Sequence, residues 1–471
     1  MQPTALSILL TILCALQPAP GESARCPSRA PASEPAAASF NKVRENIRPR
    51  QESTPLERAL ATTAPRLVSW RRDIHAHPEL GEREGRTAAL VATQLRALGL
   101  EVQVGIGATG VTGLLRGAAL KSPDASTRRP LVAWRADMDA LPITEQTGLP
   151  FASTARDTWD GTEVGVMHAC GHDMHTAIGL GVATALAQPA VRQQLANDIL
   201  FIFQPAEEGV KGSGVHGAER MLAEGIFETR KPDSVFGLHV NPKIPLGHVS
   251  LHDGGAMAAV DRFTIEITGK QVHGAYPESG VDPIVVASQL VLALQTIPSR
   301  SISTHDQVVL TVGKFAAGNR FNIIPNSAEL VGTIRTHSRA VQLEVHRRLR
   351  ELVATLPAGF GASGTVTIEE LTPVTVNDAA LVASARPLFT RLLGPDGMTP
   401  EPPHMGGEDF AFFAQQTPGL YFFLGVSDFT ALEPGTEPAM VHTPDFNPDE
   451  RALELGLRLA CELLLQPREG N

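Results

Sequence analysis

The sequence has few cysteines, which could cross-link it, and no cluster of basic residues, which could bind nucleic acid. Only four cysteines occur among 471 residues, so the chain is no disulfide framework and a buried core must stabilise it. The formal net charge of -10 and the lack of a basic cluster argue against a nucleic-acid partner, because phosphates would be repelled. Otherwise the composition is that of a folded globular protein, 43% hydrophobic and 19% charged, long enough for two to three domains.

Long apolar runs are also missing, and the longest near the start is Leu6–Leu16. It has the length of a signal-peptide core and is too short to span a bilayer. Residues 1–25 are therefore predicted to be a signal peptide, which makes the protein secreted or periplasmic. Residues 26–55, rich in Pro, Ala, Ser and Arg without periodicity, read as a disordered linker. The folded protein is expected to begin near Leu56.

Between residues 56 and 256 apolar strands alternate with helices, which predicts an α/β fold with a mostly parallel sheet flanked by helices. Val111–Arg116 and Leu131–Trp134 are short apolar runs, and the polar segment Lys121–Pro130 between them is predicted to be the turn of a hairpin. Two further strands and a long helix are predicted at Ile199–Phe203, Ser234–Val240 and Met174–Ala187.

From about residue 257 to 374 the order becomes strand, helix, strand, strand, helix, strand, which predicts an inserted α+β ferredoxin-like domain. Its elements are predicted at Asp261–Thr268, Pro283–Thr296, Gln307–Lys314, Ala328–Arg335, Ala340–Ala354 and Thr365–Leu371. Residues 375–471 return to long helices, Ala379–Leu393 and Asp449–Leu465, around a strand at Gly419–Gly425. We expect this last part to complete the sheet of the first domain.

The densest chemistry lies in Met167–His175, where one thiol, three imidazoles and one carboxylate fall within nine residues. Cysteine and histidine are ligands for borderline-soft divalent metals. One such residue alone is usually packing or a satisfied hydrogen bonder, but the cluster is not explained that way. Cys170 and His172 are two apart, so an extended segment sends both side chains to one side. Two ligands bind weakly, and the candidates for the others are Glu207, Glu208, His239 and His442.

Polar residues follow the predicted strands at their carboxyl ends, where ligands of parallel sheets bind. They are Asp137, Asp139, Glu207, Glu208 and His239. In the adjacent Glu pair one carboxylate could bind metal while its neighbour addresses the metal-bound water. Each has an ordinary alternative: Glu-Glu pairs are commonly solvated, and a strand histidine is commonly a hydrogen-bonded core residue.

Taken in order, the motifs resemble the metallopeptidase family that contains aminoacylase-type enzymes and carboxypeptidase G. Within it they are most similar to the branch of hippurate, N-acyl-amino-acid and auxin-conjugate amidohydrolases. The matching segments are Arg72–Glu79, Trp134–Pro142, Met167–His175, Gln204–Gly209, Gly237–Val240, Gly406–Phe410 and His442–Pro444. They span about Leu67 to Leu465, the whole predicted folded part.

The resemblance implies a zinc-exopeptidase-like fold with two divalent metal ions, zinc or manganese, with cobalt or nickel as alternatives. The implied ligands are Cys170, His172, Glu208, His239 and His442, and Glu207 would be the general base. His168 and His175 are then not ligands, and Asp173 begins a helix or orients a neighbour. Asp137 and Asp139 read as residues that orient the ligands or brace the strand end.

The same resemblance implies that the inserted domain is a lid and a homodimerisation module. Its His273 would help polarise the scissile carbonyl, and Asn322 and Arg335 match lid positions that contact substrate. A turn asparagine and a solvated arginine are the ordinary alternatives for the last two. The predicted activity is hydrolysis of the amide bond of N-acyl amino acids. A metallo-carboxypeptidase or dipeptidase acting on short peptides is one alternative, and an inactive metal-binding or dimerisation protein is another.

Overall fold

A computed structural model describes residues 54–119, 128–210, 217–433 and 435–468. The predicted signal peptide, almost all of the predicted linker, and residues 121–127 of the predicted hairpin turn lie outside them. None of the helices in the described part of the chain has the length and apolarity needed to cross a membrane.

A seven-stranded sheet is the centre of the fold. Its strands are β1 (Glu101–Ile106), β2 (Gly110–Leu115), β3 (Leu131–Asp137), β6 (Asp198–Gln204), β7 (Ser234–Pro245), β8 (Val249–Ser250) and β17 (Gly419–Ser427). In the order β1-β2-β6-β3-β7-β17-β8 the four strands β6, β3, β7 and β17 are parallel, and both edges are antiparallel. This confirms the predicted α/β class with a mostly parallel core, completed by a strand from the last part of the chain.

The predicted hairpin between Val111–Arg116 and Leu131–Trp134 is wrong. The strand β6 lies between β2 and β3 in the sheet. The hairpin partner of β2 is instead β1, which pairs with it antiparallel and is joined to it by a tight turn. Every residue of β3 is buried, which is typical of a central strand with neighbours on both sides. The exposed pattern of β1 instead suits a sheet edge.

Helices cover both faces of this sheet. They are α1 (Pro55–Ala76), α2 (Gly85–Ala97), α3 (His172–Ala187), α4 (Pro189–Arg192), α5 (Gly217–Ala223), α8 (Ala379–Leu393), α9 (Phe410–Gln416) and α10 (Ala452–Leu465). Thr54 starts α1 through a capping box with Glu57. The helix α3 is buried on all sides against α1 and α10, as its apolar sequence requires. That burial fixes the position of His172, its first residue.

The chain between residues 259 and 372 forms a second, four-stranded sheet with two helices. Its elements are β10 (Ala259–Thr268), α6 (Pro283–Leu294), β12 (Val308–Ala317), β14 (Ser327–Thr336), α7 (Arg339–Thr355) and β15 (Ser363–Thr372). The order β12-β14-β10-β15 with antiparallel pairing is the predicted ferredoxin-like arrangement. Burial alternates along β10, and side chains such as Phe263, Leu290 and Leu349 form a core separate from that of the central sheet. We call this part the four-stranded unit.

Short strands complete the structure. They are β4 (Arg156–Trp159), β5 (Thr162–Gly165), β9 (Gly254–Met257), β11 (Val272–His273), β13 (Ile323–Ile324) and β16 (Thr375–Asn377). The strands β9 and β16 pair with each other. They are the two segments through which the chain enters and leaves the four-stranded unit, so the unit is joined to the central sheet by a paired connection.

Candidate metal centre

Cys170 and His172 flank Gly171, a position that no other residue can occupy without strain. Gly171 has φ 86°, and a Cβ there would lie 2.4 Å from a methyl group of Val240. This left-handed residue lets the chain pass from a turn at Ala169 and Cys170 directly into α3, so the extended segment expected for Cys170 and His172 is not observed. Both side chains are buried and reach the carboxyl edge of the central sheet.

Donor atoms from three distant parts of the chain meet the Cys170 thiol. Its Sγ lies 3.3 Å from Nε2 of His239, which is on β7. It also lies 3.3 Å from Nε2 of His442, in the loop before α10. The same nitrogen of His442 is 3.0 Å from Oε1 of Glu208, which follows β6. The loop is tied to the thiol segment because the His442 N–H donates to the carbonyl of Ala169 at 2.8 Å.

Neighbouring groups fix which ring nitrogen each histidine offers. Nδ1 of His172 lies 2.9 Å from the carbonyl oxygen of Asp139, and because a carbonyl only accepts, this nitrogen carries the proton. Nε2 of His172 is buried and has no hydrogen-bond partner within the described residues. Nδ1 of His239 lies 2.7 Å from the carbonyl oxygen of Val240, which turns its Nε2 towards Cys170. In both rings Nε2 is therefore the nitrogen that remains for a metal ion.

The two glutamates lie beside these donors. Oε2 of Glu207 is 3.9 Å from Nε2 of His172. Overlapping groups with donor atoms within 4.8 Å of one another are Cys170–His172–His239, Cys170–Glu208–His442 and His172–Glu207–Glu208. Thiolate, imidazole and carboxylate together suit zinc-type divalent ions. The buried Nε2 of His172, which has no hydrogen-bond partner among the described residues, and the shared members of these groups fit a pair of metal ions.

Electrostatics favour cations at this place. Burial, with Glu208 and Glu207 nearby, holds the pKa of the Cys170 thiol well above its usual value. Burial and the charges of Glu408 and Glu208 likewise raise the pKa of Glu207 far above its usual range. Without a cation the negative charges must be neutralised by protons. A bound divalent ion removes that need and stabilises the thiolate and carboxylate forms.

Behind the donors, Asp137 and Asp139 use their oxygens on neighbouring groups. Oδ1 of Asp139 is 3.2 Å from Nδ1 of His172, and Oδ2 accepts from the Glu208 N–H at 3.0 Å. Oδ1 of Asp137 is 2.7 Å from Nδ1 of His175, and its other oxygen accepts from Arg135. Asp139 thus contacts two of the predicted ligands, whereas Asp137 contacts His175, which is not one of them.

Other members of the Met167–His175 cluster face away from the donors. Oδ2 of Asp173 pairs with Arg71 and His75, 2.8 Å from each. His168 is fully buried, and burial lowers its pKa to about 4. The structure therefore brings neither His168 nor Asp173 to the thiol.

A buried network below the site was missed by sequence reasoning. The guanidinium of Arg135 donates to Glu408 and Asp409, at 2.8 Å each, and to Gln204 at 2.7 Å. The hydroxyl of Tyr421 donates to Glu408. Arg135 and Glu408 lie within the motifs Trp134–Pro142 and Gly406–Phe410, but a motif does not show that its charged members are buried partners.

The donors open onto a cavity of about 570 Å³ that runs to the base of the four-stranded unit. Its apolar wall includes Met257, Val260, Leu371, Phe423 and Met440. Arg335 also lines it. The guanidinium has one hydrogen bond, to Oγ1 of Thr333 at 3.2 Å, and forms no ion pair with any described residue.

The other two predicted lid residues lie elsewhere. His273 is exposed and pairs through β11 with Ile323 of β13, next to Asn322. The carbonyl of Asn322 accepts from the Gly274 N–H at 2.9 Å. The structure thus brings His273 and Asn322 together but does not bring either to the cavity, and their roles towards substrate stay predictions.

An α/β sheet whose carboxyl edge carries thiol, imidazole and carboxylate donors beside a cavity is typical of a metal-dependent hydrolase. Residues 133–466 match the model of Peptidase family M20/M25/M40, and the chain belongs to this family. It is 37% identical over 380 residues to N-acetyl-L-cysteine deacetylase of Bacillus subtilis (strain 168), covering 80% of this chain and 83% of that one. It is 34% identical over 404 residues to IAA-amino acid hydrolase ILR1-like 2 of Arabidopsis thaliana, covering 85% and 84%.

Among solved structures, the chain is similar to the YXEP protein of Bacillus subtilis, described as a dinuclear metal binding peptidase from the M20 family. The TM-score is 0.71 at 33% identity, over 86% of this chain and 98% of that one. Together these similarities show a hydrolytic enzyme that acts on amides and uses two divalent metal ions.

Proposed function

We propose that the enzyme hydrolyses the amide bond of N-acyl amino acids, with Glu207 as general base. The observation that carries the proposal is the placement of three groups around one cavity: the metal donors, the Glu207 carboxylate, and the Arg335 cation, which forms no ion pair with any of the described residues. An N-acyl amino acid has a scissile carbonyl, which suits the metal donors and Glu207. Next to it the substrate has a carboxylate, which suits Arg335. The apolar wall that includes Met257 and Phe423 suits the acyl group or an apolar side chain.

The proposed ligands are Cys170, His172, Glu208, His239 and His442, with zinc or manganese as the ions. When bound, the ions supply Lewis acidity that polarises the amide carbonyl and lowers the pKa of water. Glu207 takes a proton from the attacking water and delivers it to the leaving nitrogen. Arg335 holds the carboxylate of the substrate so that the amide lies at the donors. The products are a carboxylic acid and an amino acid.

The four-stranded unit is proposed to act as a lid and as the homodimerisation module. His273 lies outside the cavity, so it can polarise the carbonyl only after movement of the unit or from a second copy of the chain. Tyr276 and Phe321, 61% and 96% exposed on the same unit, offer an apolar surface to such a copy. Mixing the inactive variants Glu207→Ala and His273→Ala restores activity if His273 acts across a dimer. It restores none if each copy uses its own His273.

Export is proposed as well, on the sequence of residues 1–25. Cell fractionation tests it: the full chain is expected outside the cytoplasm, and a variant lacking these residues inside.

A panel of hippurate, acetylated amino acids and dipeptides tests the substrate class. Hydrolysis of the acylated compounds at rates well above the dipeptides supports the proposal, and the reverse order favours the carboxypeptidase or dipeptidase alternative. The Glu207→Ala variant should keep its metal and lose turnover by about 10²–10⁴-fold, the usual range for a general base. Wild-type turnover in this variant would show that Glu207 is not the base.

A further inference from the structure

The turn that carries Glu207 is held in a strained conformation by buried groups. Ala206, the residue before Glu207, has φ 51°, a left-handed value that costs energy in any residue with a Cβ. Such a conformation persists only where the surroundings over-determine it. Ala206 is buried, and both of its backbone polar groups are engaged. Its carbonyl accepts from the N–H of Gly209 at 3.2 Å and of Gly217 at 3.1 Å.

The N–H of Ala206 is held by a carboxylate from a distant part of the chain. It donates to Oε1 of Glu84 at 2.9 Å, and the other oxygen of Glu84 accepts from the hydroxyl of Thr109. Glu84 stands at the N-cap of α2, yet its side chain makes no capping hydrogen bond. Glu79 caps this helix instead, accepting from the N–H groups of Arg86 and Thr87 at 2.9 Å each. The fully buried carboxylate of Glu84 is therefore directed at the Ala206 turn.

The two residues that flank Glu207, Ala206 and Glu208, thus each donate their backbone N–H to a buried carboxylate. Ala206 N–H donates to Glu84, and Glu208 N–H donates to Asp139 at 3.0 Å. Gly81 packs closely against the turn, since a Cβ at this position would lie 3.2 Å from the Cβ of Ala206. The backbone of Glu207 is fixed at both neighbours, which aims its side chain at the donors.

We propose that Glu84 is a positioning residue for Glu207, and that it acts by holding Ala206 in the left-handed turn that directs the Glu207 carboxylate into the cavity. The inference rests on the proposed function, in which Glu207 is the general base. Burial and the charge of Asp139 raise the pKa of Glu84 to about 8, so the uncharged isostere glutamine is a close replacement for it.

The test compares variants of the full-length, metal-loaded enzyme on hippurate. Glu84→Ala is expected to fold, bind both metals and lose about 10²-fold in kcat with little change in KM, because a displaced catalytic group costs about that much. Glu84→Gln still accepts from Ala206 and should retain most of the activity. In the Glu84→Ala background, Ala206→Gly should recover about tenfold, because glycine adopts the left-handed turn without strain.

The matched control is Glu79→Ala, which removes a helix cap from the same segment without touching the turn. It should lower Tm and leave kcat nearly unchanged. If Glu84→Ala does not fold, Glu84→Asp decides, because it keeps the carboxylate but is one methylene too short to reach Ala206. It should show the same loss of kcat.

Wild-type kcat in Glu84→Ala or Glu84→Asp would overturn the inference. The inference would also be overturned if the loss of kcat in Glu84→Ala accompanied a loss of metal, or if Glu79→Ala showed the same loss of kcat. A third contrary result would be no recovery of kcat when Ala206→Gly is added to Glu84→Ala. Failure of the proposed function gives a different result, since Glu207→Ala would then turn over hippurate at the wild-type rate.

Discussion

The backbone N–H of Val240 donates a hydrogen bond to Nε2 of His175 across 3.0 Å. The other ring nitrogen, Nδ1, must then carry the proton that reaches Oδ1 of Asp137 at 2.7 Å. Both nitrogens of His175 are occupied, so this histidine braces the segment that carries His239 instead of binding metal. The cluster that looked richest in the sequence therefore divides into donors and supports.

Replacing His175 by alanine should leave metal binding intact and weaken the fold. The variant strands the buried N–H of Val240 and one oxygen of Asp137, which costs about 1–3 kcal/mol for each lost partner. Denaturant unfolding measures the free energy, and mass spectrometry of the digested protein measures metal. His172→Ala is the comparison and should lose metal. Loss of metal in His175→Ala, with stability unchanged, would make His175 a ligand.

The two described cysteines offer a matched pair. Both are buried, but Cys170 contacts two candidate ligands while Cys461 lies inside α10. Cys170→Ala should reduce metal content and turnover together, because a thiolate donor is lost. Cys461→Ala should keep both at wild-type levels. Equal metal content in the two variants would remove Cys170 from the ligand set.

Arg335 should be needed only when the substrate carries a carboxylate. For Arg335→Met we expect kcat/KM on hippurate to fall by about 10–100-fold, the value of a charge-assisted hydrogen bond. Hippuramide, which has a neutral amide in place of the carboxylate, should be hydrolysed equally by variant and wild type. An equal loss on both substrates would contradict this role.

His75 should make the fold sensitive to alkali. Burial lowers the pKa of its imidazole, but Asp173 and Glu145 outweigh that effect and raise the pKa to about 9. The ordinary value is about 6.5. The stabilisation is therefore complete below about pH 6.5 and is lost as the pH rises through about 9.

The variant His75→Gln tests this by urea unfolding near pH 6 and near pH 10. Wild type should lose on the order of 3 kcal/mol more than the variant between these conditions. Parallel pH dependence in the two proteins would show that His75 carries no such stabilisation.

Much of the fold follows from local sequence patterns. The helix Ala379–Leu393 begins and ends where its periodicity predicts, and the order of elements between residues 259 and 372 was sufficient for the ferredoxin-like unit. The hairpin prediction failed because strand order is set by pairing between distant segments, and β6, which comes later in the chain, pairs with β2. Cys170 and His172 can be recognised as a pair because they are two residues apart, but the turn and the left-handed Gly171 that bring them together were not predicted.

The buried residues that hold the site residues in position are harder to predict. The positive φ of Ala206 has no signature in an alanine, and its partner Glu84 is 122 residues away. Arg135 and Glu408 are separated by 273 residues, and only the packed sheet shows that they are buried partners. His273 and Asn322 were predicted near the reacting amide, yet the structure places both outside the cavity. Their position depends on the relation of the four-stranded unit to the cavity, which a linear pattern does not contain.

Two metal ions at the Cys170 centre are proposed to support the hydrolysis of N-acyl amino acids. To test this, the full-length protein is stripped with a chelator, and hippurate hydrolysis is followed as zinc or manganese is added back. We expect no turnover in the stripped protein and recovery that saturates at two bound ions per chain, in wild type but not in Cys170→Ala. Turnover that survives complete removal of metal, or equal recovery in Cys170→Ala, would contradict this proposal.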